Sequence, residues 1–383
     1  MIPTKNKEFD FYLDNIARNL SITDSMFNKA VSSYQSVGTW LDEGLNEYKV
    51  SILPQGSFYL GTVIRPISDK DDYDIDLVCL VENKNKINSA KVLKQTIGNR
   101  LKENKIYRDK LSKEGKRCWT LEYDEFHMDI LPAIPKCDSF DKDNDADIKI
   151  THTENHIDYS FKESNPFEFR NWFIKKASLI KPEEVMFSRS MEAIEKVPKY
   201  SKTTVLQECV KILKRHRDIM FEKNDDDAPI SMIITTLSGL AYDGTQSISM
   251  ALELILNKMD DFIGRDSNGI YRIMNPVNNK ENFADKWAKV PNKQKCFYKW
   301  LQAAKNDLII NNIKLQGTDE ICNFLSHKLG NNLVKKSFAE AADIRRYLRE
   351  HNSLYVKKNL ISEFSVEKSS DNMSVKNHVF FGK

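Results

Sequence analysis

The chain has 383 residues, 40% of them hydrophobic and 30% charged, a composition that excludes wholesale disorder and a length that suits two lobes around a shared cleft. Its 58 basic and 55 acidic side chains leave a formal net charge of +3, so whole-chain charge does not mark a nucleic-acid binder. The apolar runs at 76–81 and 230–241 fall short of the roughly 20 residues that span a bilayer. Lys5, Lys7, Glu8 and Asp10 stand where a secretory signal would carry an apolar core. Cys79, Cys118, Cys137, Cys209, Cys296 and Cys322 are scattered without a Cys-x-x-Cys pair, so free thiols in a reducing cytoplasm are the expectation.

Residues 8–20 and 24–45 have helical spacing, with Ser21 and Asp24 as capping candidates between them. Val50 and Ile52 alternate with polar neighbours in a short strand ending at Pro54, and 73–81 is the best strand in the chain. Residues 87–103 read as an amphipathic helix, and 118–123 and 126–131 as two further strands. Helices mixed with strands in this order give an α+β fold class. Asp138 to Asp147 reads as an acidic loop, Asn165-Pro166 as a boundary, and the remainder as mainly helical. Helices are expected over 205–221, 230–241, 247–262, 282–288, 293–310 and 338–351, with a weakly structured tail after Ser362. The domains expected are therefore 1–165 and 166–383.

Asp74-Ile75-Asp76 opens the apolar strand. Side chains two apart in a strand share a face, so both carboxylates project together while Ile75 and Leu77 enter the core. Such hard oxygen ligands suit Mg²⁺, which prefers carboxylates supplemented by water and substrate phosphates. Asp129 repeats the pattern, with His127 on its face and Met128 and Ile130 pointing inward; a third carboxylate there would complete a metal site and help deprotonate an attacking ribose hydroxyl. An isolated Asp-x-Asp is a weak signal, because acidic pairs at strand ends are common. Gln55-Gly56-Ser57 precedes the pair, in a turn that lets the backbone approach a phosphate closely or that simply joins strand to helix.

Pro54-Gln55-Gly56-Ser57, Tyr73-Asp74-Ile75-Asp76-Leu77 and His127-Met128-Asp129-Ile130-Leu131-Pro132 together resemble the DNA polymerase β-like nucleotidyltransferase superfamily, and most closely its cGAS/DncV-like (CD-NTase) branch. Leu213-Lys214-Arg215-His216-Arg217-Asp218 and Pro229-Ile230-Ser231 resemble the family's triphosphate-contacting segments, and 275–277 and 282–287 a stretch of its helical lobe.

The resemblance implies a polymerase β-like core with a mixed sheet, a helical C-terminal lobe and a long N-terminal bracing helix. Asp74, Asp76 and Asp129 would be catalytic and hold two Mg²⁺ ions, with Mn²⁺ able to substitute. Gln55, Gly56, Ser57, Lys214 and Ser231 would bind nucleotide. The implied activity joins ribonucleoside triphosphates, ATP among them, into a cyclic di- or trinucleotide that activates a downstream effector in bacterial anti-phage defence. It involves no membrane and requires no nucleic acid. Some relatives are conjugated through their C-terminus by an associated protein, and this chain ends in Phe381-Gly382-Lys383.

Asp69, Asp71 and Asp72 read as solvated loop charge, His127 as a supporting or surface residue, and Asp225-Asp226-Asp227 as a turn between helices. Residues 94–117 hold nine basic side chains against three acidic, either a solvated face or a contact for phosphate or RNA. The alternatives to cyclic synthesis are a template-independent nucleotidyltransferase making linear products on RNA or protein, and a non-catalytic nucleotide-binding scaffold.

Overall fold

The structure is a computed structural model that describes residues 4–68, 72–82, 87, 89–137, 146–179, 193–200, 203–309, 317–351, 353, 355–357, 360–365 and 372–375. The chain begins with α1 (Thr4–Leu20) and α2 (Asp24–Gly44), the two helices that the spacing predicts, which together form the N-terminal brace. The break is set by Thr23, whose hydroxyl accepts from the Met26 amide at 3.1 Å and caps α2. The brace thereby serves both cores: α1 packs into the helical core and α2 against the sheet.

Next come β1 (Val50–Gln55), α3 (Gly56–Leu60), β2 (Tyr73–Val81), α4 (Ala90–Glu103), α5 (Lys105–Lys110), β3 (Trp119–Glu122), β4 (Phe126–Pro135), β5 (Ile148–Thr153) and β6 (Tyr159–Ser164). These strands form a mixed sheet in the order β1-β2-β4-β5-β6, with β3 paired alongside the first half of β4. β2 and β4 run parallel; β1–β2, β3–β4, β4–β5 and β5–β6 are antiparallel. The alternation expected of 73–81 holds over 73–77, with Ile75 and Leu77 fully buried, while 78–81 are buried on both faces.

Helix α6 (Pro166–Ala177) starts at the anticipated Asn165-Pro166, where the Asn165 side chain accepts from the Glu168 amide at 3.0 Å and Pro166 occupies the first helical position. α7 (Val205–Met220), α8 (Ser231–Ala241) and α9 (Ile248–Lys258) follow as the spacing predicts. Two small hairpins come next: β7 (Gly264–Arg265) with β8 (Tyr271–Arg272), and β9 (Met274–Asn275) with β10 (Asn278–Asn282). The helix expected over 282–288 is absent; Asn282 ends a strand, and only a 3-10 turn, Asp285–Trp287, follows. Asn282 accounts for this, since its side chain accepts from the Ile273 and Ala284 amides and donates to the Tyr271 carbonyl, holding a turn in place of a helix.

The chain closes with α10 (Pro291–Leu308), α11 (Thr318–Leu329), α12 (Asn331–Glu350) and the sheet β12-β11-β13 of β11 (Tyr355–Lys357), β12 (Leu360–Ser365) and β13 (Asn372–Ser374). Of the tail after Ser362, residues 363–365 and 372–374 lie in β12 and β13. The loop positions 138–145, and Phe381-Gly382-Lys383, lie outside the described residues. Among the described residues no cysteine forms a disulfide. Among the described residues, no helix is long and apolar enough to cross a membrane.

A buried ion pair binds the two cores. Arg170 on α6 donates to both carboxylate oxygens of Glu195, at 2.7 and 3.0 Å, and lies over the Tyr59 ring. The Glu195 backbone bonds in turn with Ile52 of β1 and with the Tyr34 hydroxyl of α2.

Candidate active site

The sheet register assembles the polar row that the sequence motifs foreshadow. Gln55 on β1 lies opposite Asp76 on β2, Asp76 opposite Asp129 on β4, and Asp129 opposite Thr120 on β3. Four strands thereby place these side chains on one face. Asp74, two residues earlier on β2, shares that face and stands opposite His127.

Above the row, an open cleft of about 260 Å³ separates the sheet from the helical lobe, with Gly56, Ser57, Asp74, Asp76, Lys214 and Ser231 among its walls. Gln55 and Asp129 are not among its lining residues; Asp129 reaches the site through its pairing with Asp76. Gly56 adopts φ of 62°, and a Cβ there would stand 2.2 Å from Asp76 Oδ2, so only glycine lets the turn pass this carboxylate.

Electrostatics tie the aspartates together. Burial, then the Asp129 and Asp74 carboxylates, push Asp76 up to about 7, against a smaller opposing pull from Lys214. Asp74 is raised by burial and Asp129, with His127 and Lys214 opposing. Thr120 Oγ1 donates to Asp129 Oδ1 at 2.5 Å, and the Cys118 sulfur lies 3.7 Å from that hydroxyl. The Cys118 thiol is held up at about 12 by burial and by Asp129.

Across the cleft, Lys214 is 5% exposed and donates to the Thr62 carbonyl at 3.0 Å. Burial and the neighbouring Arg217 lower it to about 8, while Asp218, Asp74 and Asp76 act to raise it. One turn on, Arg217 bonds the Ser231 hydroxyl at 3.1 Å and the Pro229 carbonyl at 2.8 Å, joining the two segments that the sequence paired.

Asp72 is exposed, as expected of loop charge, and also lines the cleft, its Oδ2 3.0 Å from His127 Nε2. Asp69, Lys70 and Asp71 lie outside the described residues. The sequence reading also missed Thr120 and Arg217. Arg217 stood inside a quoted motif, whereas nothing local marked Thr120.

The donor chemistry fits Mg²⁺. Three hard carboxylates share one face, and burial first, then repulsion among them, raises Asp74 and Asp76, a cost of ionisation that a divalent cation would relieve. Among the described residues no group of three or more His, Cys, Asp or Glu side chains is arranged to hold a metal ion by protein ligands alone. An open set of ligands suits an ion that keeps several waters and takes substrate phosphates.

Residues 8–177 match the Second Messenger Oligonucleotide or Dinucleotide Synthetase domain. The chain is 27% identical over 375 residues to a c-di-GMP synthase of Roseivirga ehrenbergii, an alignment covering 97% of this chain and 96% of that protein. Its fold matches the CD-NTase CdnG of Bradyrhizobium diazoefficiens, solved in complex with GTP, at a TM-score of 0.66 with 18% identity, covering 87% of this chain and 99% of that one. It also matches the DncV cyclic AMP-GMP synthase of Vibrio cholerae at a TM-score of 0.62 with 14% identity, over 85% and 96% of the two chains. The domain match over residues 8–177 and the fold shared with solved CD-NTases agree with the resemblance that the motifs carry.

Proposed function

We propose that this nucleotidyltransferase joins ribonucleoside triphosphates into a cyclic di- or trinucleotide. The observation that carries the reading is the register pairing of Asp76 with Asp129, with Asp74 on the same face and buried Lys214 across one cleft. The near full-length likeness to a c-di-GMP synthase favours cyclic over linear products.

In this reading Lys214, with Ser231 held by Arg217, binds the donor triphosphate, and Gly56-Ser57 lets the backbone approach it. Asp129 accepts the proton of the acceptor ribose hydroxyl, whose oxygen attacks the donor α-phosphorus in line as pyrophosphate leaves. Mg²⁺, held by Asp74, Asp76 and Asp129, would neutralise charge on the transferring phosphoryl group. A second transfer in the same cleft closes the ring. The lobes 1–165 and 166–383, closing on the nucleotides with α1 packed into the helical one, belong to the proposal, as does a cytoplasmic messenger that activates an effector in anti-phage defence.

Linear synthesis on RNA is less well supported, because the basic run at 94–117 is partly spent inside the fold. Lys94 is fully buried and donates to the Gly115 carbonyl, while Arg100 binds the Trp40 carbonyl and stacks on its ring at 3.4 Å. The test against a scaffold is the double variant Asp74→Asn, Asp76→Asn. The proposal expects a folded protein that forms no product, and product formation by that variant would refute it.

A further inference from the structure

The last member of the polar row, Thr120, has no role in the chemistry above, yet it makes the direct hydrogen bond to Asp129, at 2.5 Å. Its strand is built to hold it still. On β3 the neighbours Trp119 and Leu121 point inward, 3% and 0% exposed, so Thr120 must face the site side. Trp119 Nε1 donates to the Lys94 carbonyl of α4 at 2.8 Å, and its ring packs so closely on Gly98 that a Cβ there would stand 2.3 Å away. The Thr120 carbonyl accepts from the Ser112 amide at 2.9 Å. An edge strand fixed on both sides thus presents one hydroxyl at a set height opposite Asp129.

Such a donor answers a specific physical problem. Asp74, Asp76 and Asp129 repel one another before any cation arrives, and an unrestrained carboxylate would swing away from its neighbours. Thr120 donates to Oδ1, and the Cys118 thiol stands beside the same carboxylate, so Asp129 is held from the β3 side.

We infer that Thr120 is a positioning residue for Asp129, holding that carboxylate in the row where it serves the reaction. The inference rests on the proposed role of Asp129 as a catalytic carboxylate. Threonine and valine have nearly the same shape, so Thr120→Val removes the donor while keeping the packing, and Thr120→Ser restores the donor without the methyl group.

The experiment measures kcat and KM for nucleoside triphosphates, and separately Mn²⁺ binding without nucleotide, in Thr120→Val, Thr120→Ser and Asp129→Asn. Thr120→Val is expected to lower kcat about tenfold or more, the value of a hydrogen bond to a charged group, with KM changed less than about twofold. Mn²⁺ binding should weaken about tenfold, and Thr120→Ser should recover most of both losses. Wild-type kcat and Mn²⁺ binding in Thr120→Val, or a Thr120→Ser variant as impaired as Thr120→Val, would overturn the inference while Asp129→Asn stays inactive. Full activity in Asp129→Asn would instead overturn the reading beneath it.

Discussion

A Cβ built on Gly56 falls 2.2 Å from Asp76 Oδ2, so the turn after β1 and the carboxylate opposite it are mutually shaped. Gly56→Ala must move one of them. At φ of 62° the alanine also strains the backbone, and the two effects together should cost about 1 kcal/mol of stability or more. Turnover is expected to fall further than stability does, read as kcat beside a denaturant midpoint. A variant with wild-type kcat would show that Asp76 need not hold its position.

Asp76 gives a pH prediction of definite sign. Its folded pKa of about 7 lies above the ordinary 3.8, so the folded protein holds this proton more tightly than the unfolded chain. Ionisation therefore costs stability increasingly as pH rises from about 4 to about 7. In metal-free buffer, Asp76→Asn should melt above wild type at pH 8, and the gap should narrow towards pH 5. Mg²⁺ should raise the wild-type Tm at pH 8 more than that of the variant. Equal melting temperatures across this range would contradict the crowding of carboxylates described above.

Lys214 is the buried cation that faces Asp74 and Asp76. Lys214→Met keeps much of the apolar stem and removes the charge. KM for nucleoside triphosphate should rise about tenfold or more, in line with loss of a charged hydrogen bond. An unchanged KM would assign Lys214 to structure alone, through its bond to the Thr62 carbonyl.

The pair Arg170–Glu195 should matter for stability without touching chemistry. Arg170→Met leaves Glu195, 9% exposed, without its bidentate partner, and removing one member of a buried pair costs about 3–5 kcal/mol. Urea denaturation checks this; a loss under about 1 kcal/mol would place the pair among screened surface contacts.

The strand carrying Asp74 and Asp76 was legible because its alternation is local, and its expected bounds match β2 from Tyr73 to Val81. The amphipathic helices α7 to α10 were legible for the same reason. The β9–β10 hairpin was not, since Asn278–Asn282 reads Asn-Asn-Lys-Glu-Asn, a polar run with no period, folded by side-chain bonds to distant amides. α6 was masked by aromatic residues on several faces, Phe167, Phe169 and Phe173 all being buried. Within the site, the carboxylates and Lys214 were visible as motifs. Thr120 and the Asp72–His127 contact depend on strand register and loop placement, which a one-dimensional pattern does not carry.

The most direct test of the proposed activity is incubation of the purified protein with Mg²⁺ and radiolabelled ATP, GTP, CTP and UTP, followed by phosphatase treatment and mass analysis. The account predicts a phosphatase-resistant product with the mass of a cyclic di- or trinucleotide, formed by wild type and absent from the Asp74→Asn, Asp76→Asn variant. Labelled product that phosphatase strips completely would contradict it.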